Sequence, residues 1–443
     1  MSLHADGRRN MRSDEVHIQS VNPDVILPIQ NASGEYIYTV PGDSMASDAF
    51  GRQRVSNPVG VHASQLQYDL DRIIWEDVIT DNSGSATVTH QADRSSAFLT
   101  VGANDTIVRQ SRKYYRYQPG KSQKVAVTSV PGYEAAGITK RFGHFDDDNG
   151  IFFEMNGADL FAVTRSNVTG TAVDTQYPRT QWLDPLDGTG ASGFNLNLSK
   201  SQIFWLDLEW LGVGRTRCGF QINGQYIEII RGNHTNVVDS VYMTTANLPV
   251  RYEVSATAGF VGTNVLEVIC SEVSSEGGLE YPNSKPFTAT NGRTLISVGT
   301  TLIPLISIRP KATFNSIANR GLIIPESIEF FSATQGAHYK IVWGATLTSP
   351  SWTSVGADSI TEYDVSASAY SGGIAAVSGY VSSGGRNQSS SGFRSAIKEY
   401  PLFLDVGGAH PTSPYTDSIT VVAVSMVAQS TDMTSSINFG EVR

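Results

Sequence analysis

The sequence predicts an all-β protein: an antiparallel β-sandwich of the jelly-roll or laminin-G-like kind, a second β domain and an extended N-terminal arm. Three observations carry this. Asn-Gly pairs stand between alternating apolar runs at Asn149-Gly150, Asn156-Gly157 and Asn223-Gly224, and this dipeptide offers the positive φ angles that tight hairpin turns demand. Short runs rich in β-branched and aromatic residues recur along the chain with turn residues between them. Charged residues make up only 17% of the chain, which suits sheets whose outer faces are neutral and polar rather than salt-bridged. At 443 residues there is room for two or three such domains, each with a sizeable core.

Taken in order, residues 1 to about 22 are polar, carry Arg8, Arg9 and Arg12 and show no apolar period. They read as a docking arm that another subunit would order, the arm as a whole reaching to about residue 60. Glu35–Val40 and Ala49–Val55 look extended. Leu66, Leu70, Ile73, Ile74 and Val78 recur at helical spacing around Trp75, which fits a short amphipathic helix or an irregular strand. Strand patterns follow at Ala97–Val101, Lys124–Val130, the double hairpin Phe142–Val163, Ile203–Trp210, Cys218–Ile230, Arg251–Ser255 and Val265–Cys270. These make a sandwich over 61–275. Ser274–Pro286 is turn-rich and marks a boundary. A second β domain over 290–443 then takes Leu302–Arg309, Ser327–Phe331, Tyr339–Trp343, Tyr400–Asp405 and Ile419–Val427, interrupted by a Ser/Gly-rich loop from Ser371 to Gly392.

A net charge of −10 and a pI near 5.3 argue against a surface for duplex DNA or anionic lipid, since both need clustered Lys and Arg. Neither a secretion signal nor a run of roughly 18 apolar residues is visible, so a soluble chain made in a cytoplasm is expected, with no membrane partner. Six Asn-x-Ser/Thr triplets carry meaning only in a secretory pathway, which nothing here supports. Cys218 and Cys270 sit inside apolar strand-like runs and read as buried free thiols; a disulfide would need neighbouring strands.

Few residues carry recognisable chemistry. Gly120-Lys121-Ser122 lacks the glycine that a phosphate loop places at position 115, where Tyr115 stands. The eight histidines never fall at metal-ligand spacing. Asp146, Asp147 and Asp148 before Asn149-Gly150 gather the oxygens a calcium ion prefers, yet Phe145 and Asn156 occupy the first and twelfth positions of the helix-loop-helix pattern. A solvated acidic turn is the plainer reading, and no cofactor is expected. Asp207 and Glu209 share a strand face with Trp205, as a retaining glycosidase requires, with Trp205 or Trp210 available to stack on a sugar. The third carboxylate that such enzymes carry two positions further along is Leu211 here, so an exposed face bearing two acids is expected and no enzyme. Arg112, Tyr114, Tyr115, Arg116 and Tyr117 interleave cations and aromatics. In an acidic chain that composition reads as a protein-docking anchor rather than a nucleic-acid platform.

Ala49–Pro58, Tyr117–Gln123, Phe142–Val163, Phe204–Arg215 and Val241–Tyr252 resemble, in order, segments of a family of virion structural proteins from tailed bacteriophages and some large DNA viruses. The resemblance runs from about residue 45 onward and leaves the first 22 residues outside it. It implies a particle component assembled in the host cytoplasm, homo-oligomeric, bound to other virion proteins at a tail, neck or fibre attachment. It transfers no catalytic residue. The alternatives are a head-decorating protein, or a host-surface glycan binder or depolymerase using Trp205, Trp210, Asp207 and Glu209.

Overall fold

The computed structural model describes residues 29–30, 36–37, 48–50, 58–132, 136–278, 284–384, 386–389 and 418–443. Arg8, Arg9, Arg12 and the Tyr400–Asp405 run lie outside them. Helical structure among the described residues is a single 3-10 turn, Arg179–Gln181; the rest is antiparallel strand and turn.

Two sheets face each other over 58–276. The first runs Val173–Pro178, Asp159–Ser166, Gly150–Asn156, Ile138–Phe145, Val250–Ala256, Thr106–Ser111, Trp75–Thr80. The second runs Gln225–Gly232, Thr216–Ile222, Gln202–Leu208, Gln123–Val130, Asn264–Glu276, Ser96–Val101, Thr87–Gln91, with Pro58–Gln65 paired to the far half of Asn264–Glu276. Side chains alternate across each strand, so residues two apart meet in the space between the sheets. Phe142 and Phe153 from the first sheet close on Phe204 from the second at ring separations of 4.5 and 4.9 Å, and Phe220 packs beside them, tilted to Phe204 and edge-on to Phe153. All four are fully buried. Truncating one such phenylalanine to alanine costs about 3–5 kcal/mol.

A second pair of sheets uses 285–442. One joins Lys285–Thr290, Thr431–Val442, Leu322–Ser332 and Arg386–Ser389, with Ile296–Val298 also on Thr431–Val442. The other runs Thr353–Ser354, Thr361–Asp364, Ile303–Pro310, Ile419–Ser425, Ala337–Trp343, Ile374–Val381. A separate core, including Ile306, Ile328, Ile341, Val421 and Phe439, fills this pair.

Three local expectations change. The Leu66–Val78 stretch holds no helix: 66–74 is a connection that drives Leu66, Leu70 and Ile74 into the first core and Ile73 against the second, and a strand begins at Trp75. The expected loop from Ser371 contains the strands Ile374–Val381 and Arg386–Ser389. Asn223-Gly224 forms a two-residue turn with φ of 52° and 79°. At Asn149-Gly150 the turn is instead Asp146–Asn149, and Gly150 opens the next strand opposite Phe145. Its φ is +151°, and a Cβ there would stand 2.1 Å from the Cβ of Phe145, so only glycine fits.

Candidate functional site

The strand Gln202–Leu208 sends Phe204, Leu206 and Leu208 into the sandwich and leaves Trp205 and Asp207 on its opposite face. That face is not exposed, which corrects the sequence reading. Trp205 is 1% exposed; its indole N–H donates to the Phe220 carbonyl at 3.1 Å and its ring meets Tyr226 edge-on. Asp207 is fully buried, accepts a hydrogen bond from Ser122 Oγ at 2.7 Å and is ion-paired to Arg217, its direct cross-strand partner and equally buried. A carboxylate neutralised by a guanidinium inside a sheet is held for structure rather than offered to a substrate. Trp210 is half-buried, donates to the Met243 carbonyl at 3.1 Å and packs edge-on to Tyr117. Trp205 therefore presents no open ring face of the kind that stacking on a sugar needs.

Glu209 lies just past the strand's end, where its Oε1 accepts the Arg215 backbone N–H at 2.9 Å. It borders a cleft of about 220 Å³ with Ala49, Phe50, Arg215, Asn233, His234 and Thr235. His234 stacks on Tyr242 at 3.9 Å, with Nε2 3.4 Å from Thr216 Oγ1, and burial lowers its pKa. Asp207 and Glu209 thus part company, one locked in the sheet and one at a cleft edge. The cleft residues come from 49–50, the 209–215 turn and the 233–235 loop, so no spacing in the sequence marks them.

The Arg112–Lys121 segment is an interface, and its partner is the chain's own second domain. Tyr115 pairs its backbone N–H with the Leu248 carbonyl and is 1% exposed; Tyr114 and Tyr117 are also buried. Arg112 lies 3.8 Å from Glu76 and spreads over the Trp343 ring at 5.7 Å. Arg116 donates to the Arg443 carbonyl, and the Tyr114 ring lies under the Arg320 guanidinium at 5.9 Å. Burial holds the Tyr117 hydroxyl's pKa above its ordinary value, and it donates to no carboxylate but meets the Leu211 N–H at 3.3 Å.

The acidic turn is solvated at Asp147 and Asp148 and buried at Asp146, and all three carboxylates are ion-paired. Arg320, between Ile317–Ala318 and Leu322–Ser332, reaches Asp146 at 2.6 Å and Asp148 at 2.8 Å, while Arg251 pairs with Asp147 at 2.7 Å. Asp146 Oδ1 also caps the backbone N–H groups of Asp148 and Asn149, and its own carbonyl takes Arg165. The oxygens that suggested calcium are engaged by guanidinium groups. The whole arrangement is a latch between domains, built from one turn and one tyrosine-rich segment on the first and Arg320, Trp343 and Arg443 on the second.

No protein-family model matches the chain, and no curated protein does. Among solved structures, it is similar to a GH16 protein of the mixed linkage glucan PUL of Bacteroides ovatus, at 9% identity over 48% of this chain and 99% of that one, TM-score 0.34. A glycosyl hydrolase family 16 protein from Mycobacterium smegmatis gives 8% identity over 48% and 100%, TM-score 0.34. A legume lectin-like domain from Entamoeba histolytica gives 9% over 49% and 98%, TM-score 0.30. Likeness at this level assigns no activity to this chain.

Proposed function

We propose that the chain is a non-enzymatic structural component of a virus particle, homo-oligomeric and docked by its N-terminal arm at a tail, neck or fibre attachment. The observation that supports this best is the use made of the charged and aromatic clusters. Asp207, the acidic turn and the Arg112–Tyr117 segment all serve to lock strands or domains together. A protein that holds its shape outside a cell needs such internal ties, and two of the segments that resemble virion proteins carry the Asp146 and Asp207 ends of them. Deleting residues 1–22 tests the reading: incorporation into particles should be lost while the circular dichroism of the β domains is retained. Full incorporation of the truncated chain would overturn it.

A second reading, contact with a host-surface glycan, draws on the cleft beside Glu209, whose Asn233, His234 and Arg215 offer polar groups next to Phe50. It replaces the expected Trp205 and Trp210 contacts. Glu209→Gln with His234→Ala should then weaken adsorption of particles to cells; unchanged adsorption and unchanged polysaccharide clearing would remove this reading.

A further inference from the structure

We propose that a buried histidine–tyrosine–histidine stack beneath the inter-domain latch acts as an acid-operated release, freeing the Arg112–Lys121 segment and letting the second domain separate. The stack consists of His62, Tyr115 and His144. Tyr115 contacts both imidazoles, tilted at 47° to His62 at 5.0 Å and closer to parallel with His144 at 6.4 Å, ring centre to ring centre. Both histidines are buried, His144 completely.

The hydrogen bonds fix how each ring can respond to a proton. His144 Nδ1 lies 3.0 Å from the Pro249 carbonyl, which can only accept, so Nδ1 carries the ring's hydrogen. Its Nε2 is then a bare acceptor, enclosed and without a partner. A proton arriving there creates a buried cation with nothing to pair it. His62 bonds Ser271 Oγ through Nε2 at 2.8 Å and meets the edge of Trp75. The groups facing the stack add to the strain of protonation. Lys113 approaches from the latch segment, 5.8 Å from the Tyr115 ring, and its charge and that of His144 both oppose a charge on His62. From the strand Val250–Ala256 comes Tyr252, against Trp75, and from Asn264–Glu276 comes Ser271; no described carboxylate offsets the two rings.

Protonation would act on the latch because Tyr115 belongs to it. Tyr114 and Arg116 on either side make the contacts to Arg320 and Arg443, and His144 is two residues from Asp146. The segment joins no sheet ladder: besides the Tyr115–Leu248 bridge it is held by the Arg112 N–H on the Ile74 carbonyl, the Tyr117 N–H on Asn247 Oδ1 and the burial of Tyr115 and Tyr117, so a charge beside Tyr115 acts on an element without ladder bonds on either side. Burial lowers both histidines to about 3 from an ordinary 6.5. These rings therefore stabilise the closed form fully above about pH 6.5, and that contribution is lost as pH falls towards 3. If release returns both rings to water, the opening equilibrium rises about 600-fold between pH 7 and pH 5.

Small-angle X-ray scattering of the full chain across pH 7 to 3.5 tests this. The radius of gyration should increase in a transition whose midpoint lies below pH 6.5 and whose steepness corresponds to two protons. The double variant His62→Gln, His144→Asn keeps the hydrogen bonds without the titration, and its transition should fall by at least a pH unit. An unchanged midpoint overturns the proposal. If the double variant does not fold, nitrogen NMR of the histidines in the unaltered chain decides the matter: both rings must charge in step with opening, and rings that stay neutral through it, or a chain that never opens, overturn the proposal.

Discussion

Replacing Arg320 by alanine should uncouple the two domains, and the size of the effect follows from burial. The Arg320 side chain is 18% exposed, Asp146 3% and Asp148 39%. The Asp146 contact thus behaves as a buried pair, whose disruption from one side costs about 3–5 kcal/mol. The Asp148 contact is closer to a surface pair, worth about 0.2–1 kcal/mol. Asp146 retains the Asp148 and Asn149 backbone donors at 2.9 and 2.8 Å, which keep its charge partly satisfied. The expected loss is therefore near the lower bound, about 3 kcal/mol. Urea unfolding of single and double variants gives the coupling: Arg320→Ala with Asp146→Asn should show about 2–3 kcal/mol, and Arg320→Ala with Asp148→Asn less than about 1 kcal/mol. The single variant should also split one unfolding transition into two, since the domains would no longer unfold together. An Arg320–Asp146 coupling below about 0.5 kcal/mol would refute the latch.

Asp207→Ala should destabilise the first domain by about 3–5 kcal/mol because it removes the buried carboxylate paired with Arg217, and Asp207→Leu with Arg217→Met should cost much less than the sum of the single changes, as read by chemical denaturation. Gly219→Ala should cost about 1–3 kcal/mol or more by the same measurement: a Cβ there would stand 1.9 Å from the Ile227 carbonyl oxygen and 2.9 Å from the Trp205 ring. Cys218 should resist a thiol reagent at pH 8 in the native protein, since burial pushes its thiol pKa up, while half-buried Cys270 should react slowly; equal, fast reaction of both would contradict the described core.

Much of the fold was legible because alternation and β-branched content report directly on half-buried strands. The Lys124–Val130 run is a strand from Gln123 to Val130, and Asn223-Gly224 makes the two-residue turn that its positive φ angles allow. Leu66–Ile74 misled because a connection wedged between two cores places apolar residues at intervals that imitate a helix. Ile374–Val381 was hidden by its Ala, Ser and Gly content, which a lightly buried edge strand tolerates. The two thiols could not be judged from spacing; their strands are separated by Gln202–Leu208 and Gln123–Val130, too far for a bond. The site was the least legible part. Whether Asp207 faces water or Arg217 depends on cross-strand register, and the partner of the acidic turn lies 174 residues away at Arg320. The composition of Arg112–Tyr117 read as a docking anchor for another protein, whereas the contacts described are to the chain's own second domain, and nothing in the composition distinguishes the two.

Quantitative mass spectrometry of purified virus particles, searched for this chain, tests the central proposal most directly. The account predicts a fixed stoichiometry of a few tens of copies or fewer relative to the major shell protein, as a ring or fibre-attachment site requires. Hundreds of copies would move the protein to the shell surface, and its absence from purified particles would contradict the account outright.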